Sequence, residues 1–289
     1  MSNIIDGLKA AEELKKKLFL LASSLEKETG IKPGLAVLRV GEDPGSQLYV
    51  QKKGFQAKEL GYSFEEHVFP SWVSPEVLKA KIEELNQASY IHGIILQLPL
   101  PQHLDKFYFL SLINPLKDVD GLHPINAGKL MQDVPGGFIA CTPLGCLSLI
   151  QTIHDRLEGL NVGIVGASIL VGRPMAMLML QQKCTIWVAH SKTRNLPSLC
   201  EMADILIVAI GRPGFIQGDW IRKGGTVIDV GINRLSSGLI VGDVDFEAAQ
   251  KRAGAITPVP GGVGPMTVVS LLRNTLDSAY RYAGHPFPL

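Results

Sequence analysis

The sequence predicts an α/β protein of two domains, and three observations carry that prediction. The chain has 289 residues, and at roughly 100 to 200 residues per domain this suits two units, each long enough to bury a core. Short apolar runs rich in β-branched residues alternate with amphipathic segments of helical period, the pattern of parallel strands joined by helical crossovers. The 30 Gly and 18 Pro cluster at the ends of those runs, which excludes a collagen-like or low-complexity chain and marks turns and ligand loops.

In the first domain, Leu8, Ala11, Leu14, Leu18, Leu21 and Leu25 recur at helical spacing, which predicts a helix over 6–28 closed by Gly30. Gly34–Val40 reads as a strand, 41–45 as a turn, and 46–60 as a helix that stops at Gly61. Tyr49 and Lys53 fall one turn apart on one face of that helix. Lys52, Lys53 and Lys58 can equally be read as solvated helix charges. A strand over 64–69, a helix over 74–86 opened by Ser74 and Pro75, and a strand over 93–98 continue the alternation. Pro99-Leu100-Pro101 forces an extended exit from the last strand. A short helix near 107–113 precedes the turn Lys117-Asp118-Val119-Asp120-Gly121, whose two acids could simply accept their own backbone amides.

A hinge is expected near 140–150. Beyond it, strands are predicted over 161–165, 185–189, 204–210, 226–230 and 255–256, with helices over 174–181 and 266–282. The final helix follows the loop 258–265 and is placed to return to the first domain. The run from Val162 to Pro174 passes from a strand through a Gly-rich turn into a helix N-terminus, where backbone amides can bind phosphate. It departs from GxGxxG, so tight packing is the competing reading. The next strand ends in His190-Ser191-Lys192-Thr193-Arg194. An NAD site places a carboxylate there for the ribose hydroxyls, whereas two cations and two hydroxyls suit a 2′-phosphate, which favours NADP. Gly211-Arg212-Pro213-Gly214 and Gly231-Ile232-Asn233-Arg234 end two further strands on the same edge, with Ile232 suited to a ring face. This reads as a Rossmann-type parallel-sheet NAD(P)-binding domain.

Lys plus Arg is 28 and Asp plus Glu is 27, for a formal net charge of +1. That balance argues against nucleic acid, which needs clustered positive charge, and leaves small molecules as the expected partners. The four cysteines show neither CxxC spacing nor a His pair, so no metal is expected. A reduced, cytoplasmic protein fits, with no apolar signal region and no membrane span.

Taken together, Tyr49-Val-Gln-Lys-Lys53, Gly93-Ile-Ile-Leu-Gln97-Leu-Pro-Leu-Pro101, Lys117-Asp-Val-Asp120-Gly121, Cys141-Thr-Pro143-Leu-Gly145, Gly166-Ala-Ser168-Ile-Leu-Val-Gly172, His190-Ser-Lys-Thr193 and Pro258-Val-Pro-Gly-Gly-Val-Gly-Pro-Met-Thr267 resemble the ordered signature of the bifunctional methylenetetrahydrofolate dehydrogenase/methenyltetrahydrofolate cyclohydrolase family, called FolD in bacteria. The resemblance runs over nearly the whole chain. It implies a homodimer with a folate-binding catalytic domain over 1–145 plus 266–289 and an NADP-binding domain over 146–265, the folate lying between them.

By the same resemblance, Lys53 is the catalytic lysine, Tyr49 its helix partner, Gln97 its hydrogen-bonding amide and Asp120 the carboxylate that grips the pterin. Ser46, Leu98, Pro99, Cys141, Gly261, Gly262 and Pro265 join Tyr49, Gln97 and Asp120 around the tetrahydrofolate derivative. Gly166, Ala167, Ser168, Val171, Gly172, Arg173, Ser191, Lys192, Thr193, Gly211 and Ile232 face the cofactor. Burial and nearby positive charge can bring a lysine pKa toward neutrality and make it usable as acid or base. Neutral partners such as Gln97 and Tyr49 would position it without pinning its charge. Many family members carry Arg where Ala167 stands, and Arg173, Lys192 or Arg194 is expected to supply that charge. A dehydrogenase without cyclohydrolase activity and a noncatalytic folate- or nucleotide-binding protein are the alternatives.

Overall fold

The computed structural model describes residues 2–289, which divide into two compact units. One combines Glu13–Ile139 with Leu271–Leu289; the other combines the N-terminal stretch ending at Glu12 with Ala140–Ser270. These divisions fall at Ile139/Ala140 and Ser270/Leu271, where junctions are expected at 145/146 and 265/266, and residues 2–12 join the second unit. Most of the segment 140–150, where a hinge is expected, is helical.

The elements follow the alternation of the sequence. Strand β1 (Asn3–Ile4) is followed by helix α1 (Gly7–Thr29), which ends where Gly30 adopts φ 72°. Then come β2 (Gly34–Val40), α2 (Pro44–Glu59), β3 (Ser63–Phe69), α3 (Pro75–Gln87) and β4 (Gly93–Leu96). Strand β4 is shorter than the expected 93–98, although Gln97 still donates its backbone N–H to Leu38 at 2.9 Å. Helices α4 (Lys106–Leu112) and α5 (Pro124–Met131) complete the first half. Strands β3, β2 and β4 form a parallel sheet in that order. Every residue of β2 is buried, as expected of a central strand covered on both faces. Ala36, Leu38, Ile94 and Leu96 pack there against Leu78, Ile82 and Leu85 of α3 and Phe109 of α4.

The second unit contains α6 (Cys141–Gln151), β5 (Asn161–Val165), α7 (Gly172–Gln181), β6 (Thr185–Ala189), α8 (Leu196–Met202), β7 (Ile205–Val208) and β8 (Thr226–Asp229). A short hairpin of β9 (Asn233–Arg234) and β10 (Ile240–Val241), then α9 (Phe246–Gln250) and β11 (Ala255–Ile256), lead into α10 (Val263–Tyr282). Helix α7 begins two residues before the expected Pro174, and α10 takes Val263-Gly264-Pro265 out of the expected loop, since Pro is tolerated in a first turn. The sheet order is β1-β11-β8-β7-β5-β6, with every pairing parallel. The chain moves from β5 outward to β6 and then back across to β7, so strand order reverses between β5 and β7. Ligands of open parallel sheets bind beyond the carboxyl ends of the strands at such a switch point.

The last turns of α10 belong to the first unit. Asn274 donates from Nδ2 to the carbonyls of Val119 and Ile139, and Ser278 donates to that of Leu116.

Candidate active site

Helix α2 is started by Asp43, whose carboxylate accepts the Ser46 N–H at 2.7 Å, and by Pro44 at its first position. Capping and the Pro fix where the helix begins, and therefore which side its fourth-residue row presents. Tyr49 and Lys53 share that row. Lys52 and Lys58 are exposed, but Lys53 is only 5% exposed. Its Nζ donates to Gln97 Oε1 at 3.0 Å and lies 4.6 Å from the centroid of the Tyr49 ring. Gln97 stands at the carboxyl end of β4, and its own Nε2 donates to the Leu98 carbonyl at 2.8 Å, which turns Oε1 toward the lysine. The helix can approach the sheet because Gly54 faces the Phe64 ring: a Cβ there would fall 2.6 Å from it. A protonatable amine is thus held inside the protein by a neutral amide and an aromatic face.

The two acids of the 117–121 turn part company. Asp118 is buried, and its carboxylate accepts the N–H groups of Leu122 and His123 and the Asn126 amide. Burial lifts its pKa to about 7 against those bonds. It serves the backbone, and so does Lys117, whose Nζ donates to the carbonyls of Leu85 and Ala88 at the end of α3. Asp120 is half-buried, and its carboxylate has no hydrogen-bond partner among the described residues. Ser46 is buried, Leu98 half-buried and Pro99 exposed after a cis peptide bond. All these belong to the first unit. Cys141, buried at the start of α6, and Gly261, Gly262 and Pro265 belong to the second.

In the second unit, Gly166 ends β5 at the switch point with φ 123°, a conformation that a side chain would strain. A Cβ on Gly166 would collide with the Ala209 carbonyl, and one on Gly172 with the Gly166 carbonyl. The loop is therefore bare backbone folded on itself. Ser168 Oγ accepts the Val171 N–H at 3.1 Å, and Arg173 Nε donates to the Ala167 carbonyl at 3.1 Å. That bond brings the exposed Arg173 guanidinium beside Ala167. At the end of β6, the Thr193 hydroxyl accepts the His190 N–H and the Lys192 N–H donates to His190 Nδ1. This leaves the Ser191, Lys192 and Arg194 side chains exposed, with no carboxylate in the turn. Gly211 (φ 66°) follows β7, and Ile232, 63% exposed, follows β8.

Two buried acids were not singled out from the sequence. Asp229 and Asp243 hold the loops after β7 and β8 by hydrogen bonds to backbone. Their only signal was the Gly-Asp pair at 242–243, which is too common to stand out. Among the described residues no group of three His, Cys, Asp or Glu side chains is gathered to hold a metal ion.

The comparisons agree with this division of labour. The family described as "Tetrahydrofolate dehydrogenase/cyclohydrolase, catalytic domain" matches residues 5–120, and its "NAD(P)-binding domain" matches 140–283. A Paracoccus denitrificans protein named "Bifunctional protein FolD 2" is 50% identical over 288 residues, covering 99% of this chain and 95% of that one. The crystal structure of the bifunctional FolD dehydrogenase/cyclohydrolase from Campylobacter jejuni superposes with a TM-score of 0.95 at 43% identity, covering 97% of this chain and 99% of that one. The Trypanosoma brucei enzyme, complexed with NADP cofactor and inhibitor, matches with a TM-score of 0.93 at 36% identity, covering 97% and 98%.

Proposed function

The chain belongs to the tetrahydrofolate dehydrogenase/cyclohydrolase family, and from that premise we propose that it performs two consecutive reactions. The first is NADP-dependent oxidation of 5,10-methylenetetrahydrofolate to 5,10-methenyltetrahydrofolate. The second is hydrolysis of that product to 10-formyltetrahydrofolate. The observation that carries this reading is the buried Lys53 amine, held by Gln97 and seated over Tyr49.

Loss of hydride from the methylene bridge leaves an amidinium-like cation. A carboxylate partner would fix the proton on the lysine, whereas the Gln97 amide orients Nζ and lets the proton leave. In the hydrolysis, Lys53 takes a proton from the water that adds to the methenyl carbon. It returns that proton to N5 as the carbon–N5 bond breaks, and the remaining hydroxyl proton passes to solvent as the formyl C=O forms, so the lysine acts as base and then acid. Asp120 accepts two hydrogen bonds from the amino group and ring nitrogen of the pterin, which sets the orientation of the folate. Ser46, Leu98 and Pro99 line the same unit's folate surface.

The residues present fit NADP. The bare backbone at Gly166 and Gly172 would hold the pyrophosphate beside Ala167, Ser168 and Val171, at the N-terminus of α7. Ser191, Lys192 and Thr193 would take the adenosine phosphate, with Arg173 and Arg194 adding the charge that Ala167 does not provide. Gly211 and Ile232 would border the nicotinamide side. When bound, this cofactor accepts the hydride.

We assign folate chemistry to residues 1–145 plus 266–289 and cofactor binding to 146–265. We further place the protein in the cytoplasm as a homodimer. Four buried cysteines outside any disulfide suit a reducing compartment, and among the described residues no helix is long and apolar enough to cross a membrane. Light scattering of the purified protein checks the dimer.

The test is direct. Purified protein with 5,10-methylenetetrahydrofolate and NADP should produce reduced cofactor, and supplied methenyltetrahydrofolate should decay faster than its spontaneous rate. Lys53→Met should lower that decay by about 10²-fold or more, the usual worth of a general acid or base, while the protein stays folded. Unchanged hydrolysis would remove Lys53 from the mechanism.

A further inference from the structure

The loops that follow β7 and β8 are tied together through one buried carboxylate. Asp243 is fully buried. Its Oδ2 accepts the N–H groups of Ile210 at 2.7 Å and Gly211 at 2.9 Å, while Oδ1 accepts the Arg212 N–H and Asn233 Nδ2, both at 2.8 Å. Three successive backbone N–H groups that converge on one point, with Gly211 in the left-handed region, form a nest suited to an anion. Here the protein's own acid fills it. Asp243 is held in turn by Asp229, whose carboxylate accepts the N–H groups of Gly231, Asp243 and Val244 at 2.9–3.0 Å. The Asp229 N–H donates to the Thr257 hydroxyl at 2.8 Å, which anchors the pair at the residue just past β11, the strand next to β8. Glycines make the room: a Cβ on Gly231 would enter the Asp243 carboxylate, and one on Gly242 the Asp229 carboxylate.

We propose that Asp243 is a positioning residue for the cofactor. It joins the Gly211 loop to the loop carrying Ile232, so that both stand in place before NADP binds. The inference rests on the NADP reading given above. Its physical content is pre-organisation: a loop already ordered does not charge its ordering entropy to the ligand. Asp243 makes its bonds to backbone and to Asn233 and does not itself touch the cofactor. A carboxylate can satisfy four donors because it is acceptor-only, whereas an amide would turn an N–H toward other N–H groups.

The experiment compares NADP reduction, folate KM and hydrolysis of supplied methenyltetrahydrofolate in wild type, Asp243→Asn and Asn233→Ala. Val227→Ala serves as a stability control, because Val227 is buried in β8 and takes no part in either loop. Asp243→Asn should raise the KM for NADP about tenfold, the size expected when a charged acceptor is lost. Folate KM and hydrolysis should be unchanged. Asn233→Ala, which removes one donor and leaves the carboxylate, should raise the NADP KM about threefold. Val227→Ala should lower Tm and leave the NADP KM within about twofold. An unchanged NADP KM in Asp243→Asn would overturn the inference, as would an equal rise in Val227→Ala. If Asp243→Asn does not fold, an unchanged KM in Asn233→Ala overturns it. A wild-type protein that hydrolyses methenyltetrahydrofolate but does not reduce NADP would instead overturn the functional reading on which the inference rests.

Discussion

Lys53 shows how burial decides between readings that its sequence context leaves open. Three lysines lie on α2, and two of them are the solvated charges that a surface helix ordinarily carries. The third is enclosed because its row of the helix faces the strand end that carries Gln97. If neutrality of the partner is what matters, Gln97→Glu should trap the proton on Lys53 and lower methenyltetrahydrofolate hydrolysis by about 10²-fold, with NADP affinity unchanged. At the other ligand, charge placement outweighs the balanced total. Lys192→Ala should raise the KM for NADP about tenfold and leave that for NAD unaltered, which steady-state kinetics with both cofactors would show. Asp118 makes a prediction about pH. Its folded pKa of about 7 lies above the ordinary 3.8, so its contribution to stability is full below pH 3.8 and is lost as pH rises through 7. His92 works in the opposite sense: burial first, and the Lys117 charge second, hold it down at about 4, so its contribution is lost as pH falls below 6.5. The two offset each other in wild type. The stability of wild type relative to Asp118→Asn should therefore decline between pH 4 and pH 7, measured as the difference in urea midpoints.

Among the elements, the strands were the most legible and the short helices the least. Strands β2, β5, β6 and β11 have the bounds read from the sequence, because a run of buried β-branched residues between Gly or Pro leaves little freedom. Helices α5, α6 and α8 gave no such signal. The first is capped by His123, whose Nδ1 accepts the Ile125 N–H, and the other two lack a side-chain cap. Each also carries Pro in its first turn, which reads as a break in a sequence and is tolerated in a structure. The loop between β5 and α7 belongs to this scale, since its shape depends on two glycines rather than on any one contact. Gly172→Ala should abolish NADP reduction and lower Tm, because its new methyl must displace the Gly166 carbonyl. Hydrolysis of supplied methenyltetrahydrofolate should persist, because Lys53, Tyr49 and Gln97 all lie in the other unit.

For the molecule as a whole, the chain leaves and re-enters its units at points that no local pattern announces. Strand β1 pairs in parallel with β11, so that Asn3 lies opposite Ala255, and the last turns of α10 hydrogen-bond to Val119 and Ile139. The cysteines add a test at this scale. All four are buried and none is in a disulfide, and burial pushes the Cys146 and Cys200 thiols up to about 12. A thiol reagent should find none of them in the native protein and all of them after unfolding, with Tm indifferent to reductant. By itself, the sequence determined the α/β alternation, the presence of two domains and the family, since these are written in local periodicity and in motifs of a few residues. Only the tertiary structure decided which lysine is buried, which of two adjacent acids serves the backbone, and that Asp243 joins two loops. Those properties depend on neighbours that the fold brings in from distant parts of the chain, and burial and hydrogen bonding exist only once those neighbours have arrived.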